Sequence, residues 1–271
     1  MQFRDKVAVI TGGASGIGRS LTRMLGELGI RAVGVVDMSE SVEPAVADVN
    51  RELGREFAFS FRGDVTDPAF RRGVFADLKS RFGAVHICVP GAGIVRDGIA
   101  VKVDKATGEA KLYDQSLFEK TVAINLIAPV YWAIEAIASV AEERFRRGLG
   151  QWQPTEEVQG GIVFIGSISS AGNKGQVSYA STKAGLEGAQ STLAKEAIYH
   201  GMRCAIIHPG FTDTPMVRAM DPRIIEQHVL PNTQLRRLLQ PEEIADAICF
   251  LLRNSAVSGA LWADAGWHPS A

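Results

Sequence analysis

Short apolar runs alternate along the chain with longer stretches in which apolar residues recur every three or four positions. The runs are Lys6–Thr11 (KVAVIT), Arg31–Asp37 (RAVGVVD), Phe57–Phe61, Val85–Val89, Ile162–Ile165, Cys204–Ile207 and Leu261–Ala263. They lack the polar alternation of a half-solvated strand, so each is expected in a parallel sheet covered on both faces. Between them the pattern predicts helices from Ile17 to about Leu28, after the second run to about Leu53, and from Pro68 to Phe82. Further helices are predicted from Leu117 to about Arg147, over Ser178–His200 and over Pro241–Leu252. Asp64-Val65-Thr66-Asp67 is a helix-start signature ahead of the third helix. Strand–helix units with short links imply an α/β fold: a doubly wound parallel sheet of about seven strands flanked by helices on both faces. The chain reads as one domain over residues 1–271, with no second domain and no repeat.

Two segments break this rhythm. Ile99–Tyr113 alternates apolar residues around Ala106-Thr107-Gly108, as a β-hairpin does. It is either surface decoration or part of the substrate mouth, because loops at the C-terminal edge of such a sheet face the ligand. Phe211 to about Leu230, with Met216, Val217 and Met220, reads as a mobile apolar lid.

Composition sets the outer bounds. The 271 residues are 46% apolar, ordinary for a globular protein and enough for a large core. A formal net charge of -1 gives no electrostatic reason to expect nucleic acid or an anionic membrane as partner. Cys88, Cys204 and Cys249 are odd in number, far apart and set in apolar runs, as reduced core residues of a cytosol-like compartment would be. The opening MQFRDKVAVITGG lacks the pattern of a secretory leader, and no apolar run is read as approaching the ~20 residues that span a bilayer. A cytoplasmic protein is expected.

Candidate chemistry lies at both ends of this scaffold. Tyr179 and Lys183 stand four apart, on one face of a helix. Free tyrosine titrates near pH ~10, too high for a base at neutral pH. A cation about 4 Å away at an effective dielectric of about 20 favours phenolate by up to ~4 kcal/mol. Lys183 is therefore expected to lower the Tyr179 pKa into the range of general acid–base work. Ser167, at a strand end 12 residues before Tyr179, offers a hydroxyl for a substrate oxygen. Ser169 or Ser170 could serve instead, and Ser167 could simply cap its turn.

Gly12-x3-Gly16-x-Gly18, with Ser15 and Ile17 between, follows the first strand and opens the first helix. Such a turn lets backbone approach a pyrophosphate at a helix N-terminus. Asp37, 19 residues past Gly18, closes the second strand. A carboxylate there accepts hydrogen bonds from an adenosine ribose and repels a 2′-phosphate, which favours NAD over NADP; the plain alternative is a turn residue. Asn125, among Val122, Ile124, Leu126 and Ile127, needs a polar partner. His86, His200, His208, His228 and His268 lack metal-ligand spacing, so no metal is expected. His208 either faces the cofactor cleft or packs at its strand end. Arg144, Arg146 and Arg147 suit an acidic carrier or a phosphate-bearing substrate, or equally a solvated helix C-terminus.

Thr11–Gly18 (TGGASGIG), Asp64-Val65, Ala92-Gly93, Asn125, Ser167, Tyr179–Lys183 (YASTK) and Pro209–Thr214 (PGFTDT) form one ordered set. In order and interval this set resembles the short-chain dehydrogenase/reductase family, over essentially the whole chain. The resemblance implies a single-domain Rossmann-like fold, a nicotinamide cofactor, and hydride transfer between a carbinol and a carbonyl carbon. It implies Tyr179 as acid/base, Ser167 as the residue orienting the substrate oxygen, and Lys183 as binding the nicotinamide ribose and depressing the tyrosine pKa. Asn125 would anchor a water linking Lys183 to solvent. Cofactor contacts implied or read directly fall on Gly12, Ser15, Gly16, Ile17, Gly18, Asp37, Asp64, Val65, Gly91, Ala92, Gly93, Tyr179, Lys183, Pro209, Gly210, Thr212 and Thr214. Thr214 would hold the carboxamide, and Asp64 with Val65 would flank the adenine.

One departure stands out. Where the family commonly has Asn-Asn-Ala-Gly, this chain has Pro90-Gly91-Ala92-Gly93. The amide side chains that tie this turn are missing, which puts its anchoring in question while leaving backbone approach through Gly91 and Gly93. The motifs look most like 3-oxoacyl thioester reductases and NAD-linked 3-hydroxyacyl-CoA dehydrogenases of this fold. An apolar alicyclic, aromatic or steroid-like secondary alcohol is the alternative substrate, and a non-enzymatic nucleotide sensor the remote one. The resemblance also implies a homotetramer or homodimer built on the helices around Asn125–Arg147 and Ser178–His200. Ala180, Ser181, Ala184 and Gly188 are small enough there for close helix contact.

Overall fold

The computed structural model describes residues 1–267, so His268 lies outside the described residues. Its strands are β1 (Val7–Thr11), β2 (Ala32–Asp37), β3 (Ala58–Arg62), β4 (Ile87–Pro90), the short pair β5 (Val101–Val103) and β6 (Ala110–Leu112), β7 (Gly160–Ile165), β8 (Met202–Pro209) and β9 (Gly259–Ala263). Seven of them form one sheet in the order β3-β2-β1-β4-β7-β8-β9, parallel at every pairing. Strands β5 and β6 form a separate antiparallel hairpin with Lys102 opposite Lys111. The helices are α1 (Gly16–Glu27), α2 (Val42–Glu52), α3 (Pro68–Phe82), α4 (Gln115–Val122), α5 (Ala128–Arg146), α6 (Val177–Ala197), α7 (Pro215–Arg218), α8 (Pro222–Ile224) and α9 (Pro241–Arg253). This is the α/β, doubly wound, single-domain Rossmann-like architecture that the pattern predicts.

The continuous apolar runs have the cause inferred for them. β1 is buried at every position, and its residues feed two cores on opposite faces of the sheet. Ala8 and Ile10 pack with Leu21, Leu25, Ile248 and Leu252 on one face; Val7 and Val9 pack with Phe75, Leu78, Trp132 and Leu193 on the other. Local signals set the helix ends. Asp67 accepts from Ala69 N at 2.7 Å with Pro68 in the first turn, and Gly83 closes α3 at φ 100°. Gln240 and Glu243 form a reciprocal capping box on α9.

Three readings need correction. The helical run Gln115–Arg146 has an 18-residue stretch of mean hydropathy 1.5, long and apolar enough to cross a membrane by length and composition. The interspersed alanines and single polar residues hid it. In the fold, Trp132, Ala133, Ala136 and Val140 from this run pack on the sheet, and the Trp132 indole donates to Val65 O at 3.0 Å. Secondly, the run is not uniformly α-helical. A π turn over Ala123–Ile127 separates α4 from α5. Thirdly, Arg144 is neither solvated nor open to a carrier. Its guanidinium is buried and bidentate to Glu156, at 2.7 and 3.0 Å, and also donates to Gly150 O. A charge this costly to bury survives because every nitrogen has a partner.

The three cysteines are free and buried, as read. Burial alone pushes the Cys204 thiol up to about 12.

Candidate active site

The C-terminal ends of β1, β2, β4, β7 and β8 meet along one edge of the sheet, where an open α/β sheet binds its ligands. At β1 the chain turns through Gly12 (φ 70°) into α1. A Cβ on Gly18 would lie 2.3 Å from Gly12 O, so only glycine allows the turn to close on the helix. Ser15 is the N-cap of α1 but makes no side-chain cap, and the first turn carries no acidic residue. Amide donors left uncapped in a field of positive sign suit a pyrophosphate.

Around this cradle stand the residues to which the resemblance assigns cofactor contacts, brought there by several loops. Asp37 ends β2 beside the turn: its Oδ2 accepts from Ala14 N at 3.1 Å and its Oδ1 from Ser39 N at 3.0 Å. It is thus a turn residue as well as a carboxylate at the cradle's rim. Asp64 accepts from Thr66 at 2.8 Å, and Val65 is held by Trp132. Gly16 lies against Thr214, since a Cβ there would come within 2.9 Å of the threonine methyl. The Thr212 hydroxyl donates to Gly210 O at 3.0 Å, and Gly210 N donates to Ala263 O, which pins the turn after Pro209. Ile17 packs partly buried against the core.

The Pro90-Gly91-Ala92-Gly93 turn is anchored without its usual amide side chains. Pro90 ends β4 opposite Thr11, where no ladder donor is needed. Gly91 N donates to Thr11 O and Ala92 N to Thr11 Oγ1, both at 3.1 Å. Asn125 does the rest: its Oδ1 accepts from Ile94 N at 2.9 Å and its Nδ2 donates to Ile94 O at 2.8 Å. Buried in the π turn, it finds here the partner its apolar neighbours demanded.

Beyond Asn125, the same loop reaches α6. Gly98 N donates to Gly175 O at 2.8 Å, Gln176 Nε2 to Asp97 at 3.1 Å, and the Tyr113 hydroxyl bridges Arg96 O and Ser178. The β5–β6 hairpin springs from this junction with Ile99, Val101, Val103 and Leu112 exposed. Tyr113 carried no sequence signal beyond its place at the hairpin's foot.

Ser167, Tyr179 and Lys183 come together past the end of β7. Ser167 is buried and extended, and its Oγ accepts from Ser169 N at 3.0 Å. That bond uses a lone pair of the hydroxyl and leaves its proton available for another oxygen. Ser169 is buried, with its amide turned to Ser167, while Ser170 Oγ lies 3.3 Å from His208 Nδ1. Lys183 is buried, its Nζ donating to Ile165 O at 2.7 Å and standing 5.5 Å from the Tyr179 ring centre.

The expected depression of the tyrosine pKa is not what this geometry gives. Desolvation pushes the Tyr179 phenol up, the Ser167 hydroxyl beside it pulls part of the way back, and Asp97 pushes in the same direction as burial. Lys183 is desolvated too, which brings its ammonium down to about 8. Spacing places two side chains on one face; it does not reveal how far each is desolvated. His208, read as facing the cleft or packed at its strand end, is packed: fully buried, with its ring stacked on Trp262.

The family model described as short chain dehydrogenase matches residues 6–224. An acetoacetyl-CoA reductase of Synechocystis sp. is 32% identical over 257 residues, covering 94% of this chain and 92% of the relative. The 3-oxoacyl-[acyl-carrier-protein] reductase FabG of Escherichia coli is 30% identical over 259 residues, covering 94% and 93%. A human 3-oxoacyl-[acyl-carrier-protein] reductase is 29% identical over 256 residues, covering 94% of each. The sheet order, the glycine turn opening α1 and these matches agree: the chain belongs to the short-chain dehydrogenase family and is an oxidoreductase of the kind that works with a nicotinamide cofactor.

Proposed function

We propose that this protein is an NAD-dependent reductase and dehydrogenase that interconverts a ketone and a secondary alcohol, with a 3-oxoacyl or 3-hydroxyacyl thioester as substrate. The observation that carries the reading is the meeting of Ser167, Tyr179 and Lys183 at the sheet edge that also bears the Gly12–Gly18 cradle. Gly12, Ser15, Gly16, Ile17 and Gly18 would hold the pyrophosphate, Asp37 the adenosine ribose, Asp64 and Val65 the adenine, and Thr214 the carboxamide. Gly91, Ala92 and Gly93 would meet the cofactor through backbone, as would Pro209, Gly210 and Thr212. A 2′-phosphate beside the Asp37 carboxylate would meet like charge, which supports NAD. When bound, the nicotinamide supplies the hydride donor or acceptor.

The chain's own groups manage the oxygen. Ser167 donates its free proton to the substrate oxygen and fixes that oxygen beside the Tyr179 phenol. Tyr179 gives its proton as the ketone is reduced, and takes one back when an alcohol is oxidised. Its raised pKa keeps it protonated at neutral pH, which supports reduction as the faster direction there. Lys183 holds the ribose and favours whatever negative charge develops on the phenol oxygen. Asn125 positions the loop that closes over the cofactor, through Ile94. The thioester is supported by the relatives, which are named as acetoacetyl-CoA and 3-oxoacyl-[acyl-carrier-protein] reductases, and the exposed apolar hairpin and lid are compatible with an acyl chain. A cytosolic, homo-oligomeric enzyme is part of the same reading.

Titration with NADH and NADPH, followed by turnover of acetoacetyl-CoA and a panel of secondary alcohols, tests it. Tighter NADH and turnover of acetoacetyl-CoA are expected. Turnover of alcohols alone moves the substrate to the apolar alicyclic or aromatic class, and binding of neither cofactor overturns the reading. Tyr179→Phe should abolish turnover with NADH affinity kept within a few-fold. A kcat above about a tenth of wild type, a loss of only ~1.4 kcal/mol, removes Tyr179 from its role.

A further inference from the structure

His208 is buried beside the proposed chemistry, and no step above uses it. It sits near the end of β8, before Pro209, with its ring stacked on Trp262 of β9 at 4.3 Å and 15°. Its Nδ1 faces the strip that carries the substrate-orienting hydroxyl: Ser167 N lies at 3.3 Å, Ser167 O at 3.1 Å and Ser170 Oγ at 3.3 Å. Gly166 makes the room. A Cβ there would lie 2.6 Å from Nδ1, so the imidazole fills space that only glycine leaves free.

The contacts choose a tautomer. A neutral imidazole offers one lone pair and one N–H. Ser167 O already accepts from Ser170 N at 3.0 Å, whereas the buried Ser167 N–H needs an acceptor and has one in Nδ1. The demand of that buried amide decides: the single lone pair on Nδ1 accepts from Ser167 N–H, with the Ser170 hydroxyl at most a weaker second donor to it, and the ring's proton resides on Nε2. That nitrogen is buried without a hydrogen-bond partner among the described residues. The nearest carboxylate oxygen, Glu187 Oε1, stands 3.8 Å from it. Tyr179, Lys183 and Glu187 are spaced i, i+4, i+8 on α6, so one helical stripe supplies the acid/base, its cation and the carboxylate that faces the histidine.

We infer that His208 is a positioning residue. By accepting the Ser167 N–H it fixes the main chain of the strip from Gly166 to Ser170, and so holds the Ser167 hydroxyl in register with Tyr179. Trp262 and Glu187 hold the ring in turn. The inference rests on Ser167 orienting the substrate oxygen, as proposed above.

The test is a cycle of Ser167→Ala, His208→Leu, His208→Asn and the double variant Ser167→Ala/His208→Leu, assayed for kcat, KM for acetoacetyl-CoA and NADH affinity. His208→Leu should lose roughly tenfold or more in kcat/KM with NADH affinity unchanged, because only oxygen positioning is impaired. Asn offers an amide oxygen near the Nδ1 position, and should restore activity to within about threefold of wild type. In the Ser167→Ala background, His208→Leu should add little, the non-additivity of residues acting through one another. Fully additive losses, or equal losses in Leu and Asn that track a fall in Tm, overturn the inference and leave the proposed function standing. An unimpaired Ser167→Ala overturns the proposed role of Ser167 and the inference with it. Should His208→Leu not fold, the 15N shifts of the wild-type imidazole decide: Nδ1 unprotonated and Nε2 protonated at neutral pH is expected, and the reverse tautomer overturns the inference.

Discussion

At the scale of single residues, Lys183 trades stability for chemistry. Burial lowers its ammonium from the ordinary 10.5 to about 8, so the native state holds this proton less well than the unfolded chain does. Between pH 8 and 10.5 the unfolded state therefore binds more protons, and stability rises with pH across that window. Below pH 8 the burial penalty is present in full, about 3 kcal/mol at ~1.4 kcal/mol per pK unit. Lys183→Met should accordingly be inactive yet melt no lower than wild type at pH 7. Calorimetry from pH 7 to 10 checks this: the advantage of the variant should shrink as pH rises, and a clear drop in its Tm at pH 7 would show the Ile165 bond outweighing desolvation. Tyr179 gives a companion sign in the rates. With its pKa raised, ketone reduction should hold through neutral pH and fall only in alkali, while alcohol oxidation climbs over the same range. That these residues lie together was legible in the chain, from strand-end placement, helical spacing and the order of the family's motifs. Their protonation was not, because desolvation depends on what packs above them.

Elements show the same division. The seven strands were readable as apolar runs since both faces of this sheet are covered, and their ends shifted by only a few residues. The π turn around Asn125 and the buried Arg144 were not readable, because both depend on partners outside the helix: Ile94, distant in sequence, for the one and the irregular loop after α5 for the other. Arg144 gives an asymmetric prediction. The pKa of the Glu156 carboxyl is lowered from its ordinary value, first by the Arg144 guanidinium and then by Gln153 N. Its pairing stabilises the fold above the unfolded carboxylate pKa and is lost as pH falls through the lowered one. Removing the carboxylate strands a buried cation, whereas removing the arginine leaves a carboxylate that water can reach. Glu156→Gln should therefore lower Tm more than Arg144→Met does. Denaturation of the two variants side by side checks it, and the opposite ranking would mean that the Gly150 contacts, not the ion pair, hold this corner.

At the scale of the whole molecule, the surface of α5 bears on whether copies of the chain associate. Ile127, just before it, and Tyr131 and Ile134 on it are 50%, 50% and 41% exposed at i, i+4 and i+7, an apolar stripe facing away from the core. Beside them α6 exposes Ser181, Ala184, Gly185 and Gly188, which lets a second helix surface approach closely. An exposed apolar stripe of this kind would suit an association surface, and a helix pair that presents both ridge and groove would suit a two-fold partner with the same face. The stripe of α6 that carries Tyr179 and Lys183 lies on that helix's other side, so association would also stiffen the element that holds them. Ile134→Glu places a charge that must be desolvated in the middle of the seam, and should shift the protein to monomer in sedimentation at micromolar concentration. Its Tm should fall and the wild type's should rise with protein concentration, because an oligomer is stabilised by mass action. The kcat of the monomer should fall further than its NADH affinity, since the cradle at α1 lies away from the seam. A wild type that sediments as a monomer, or an Ile134→Glu variant with unchanged mass and Tm, would mean that this stripe is not where copies of the chain meet.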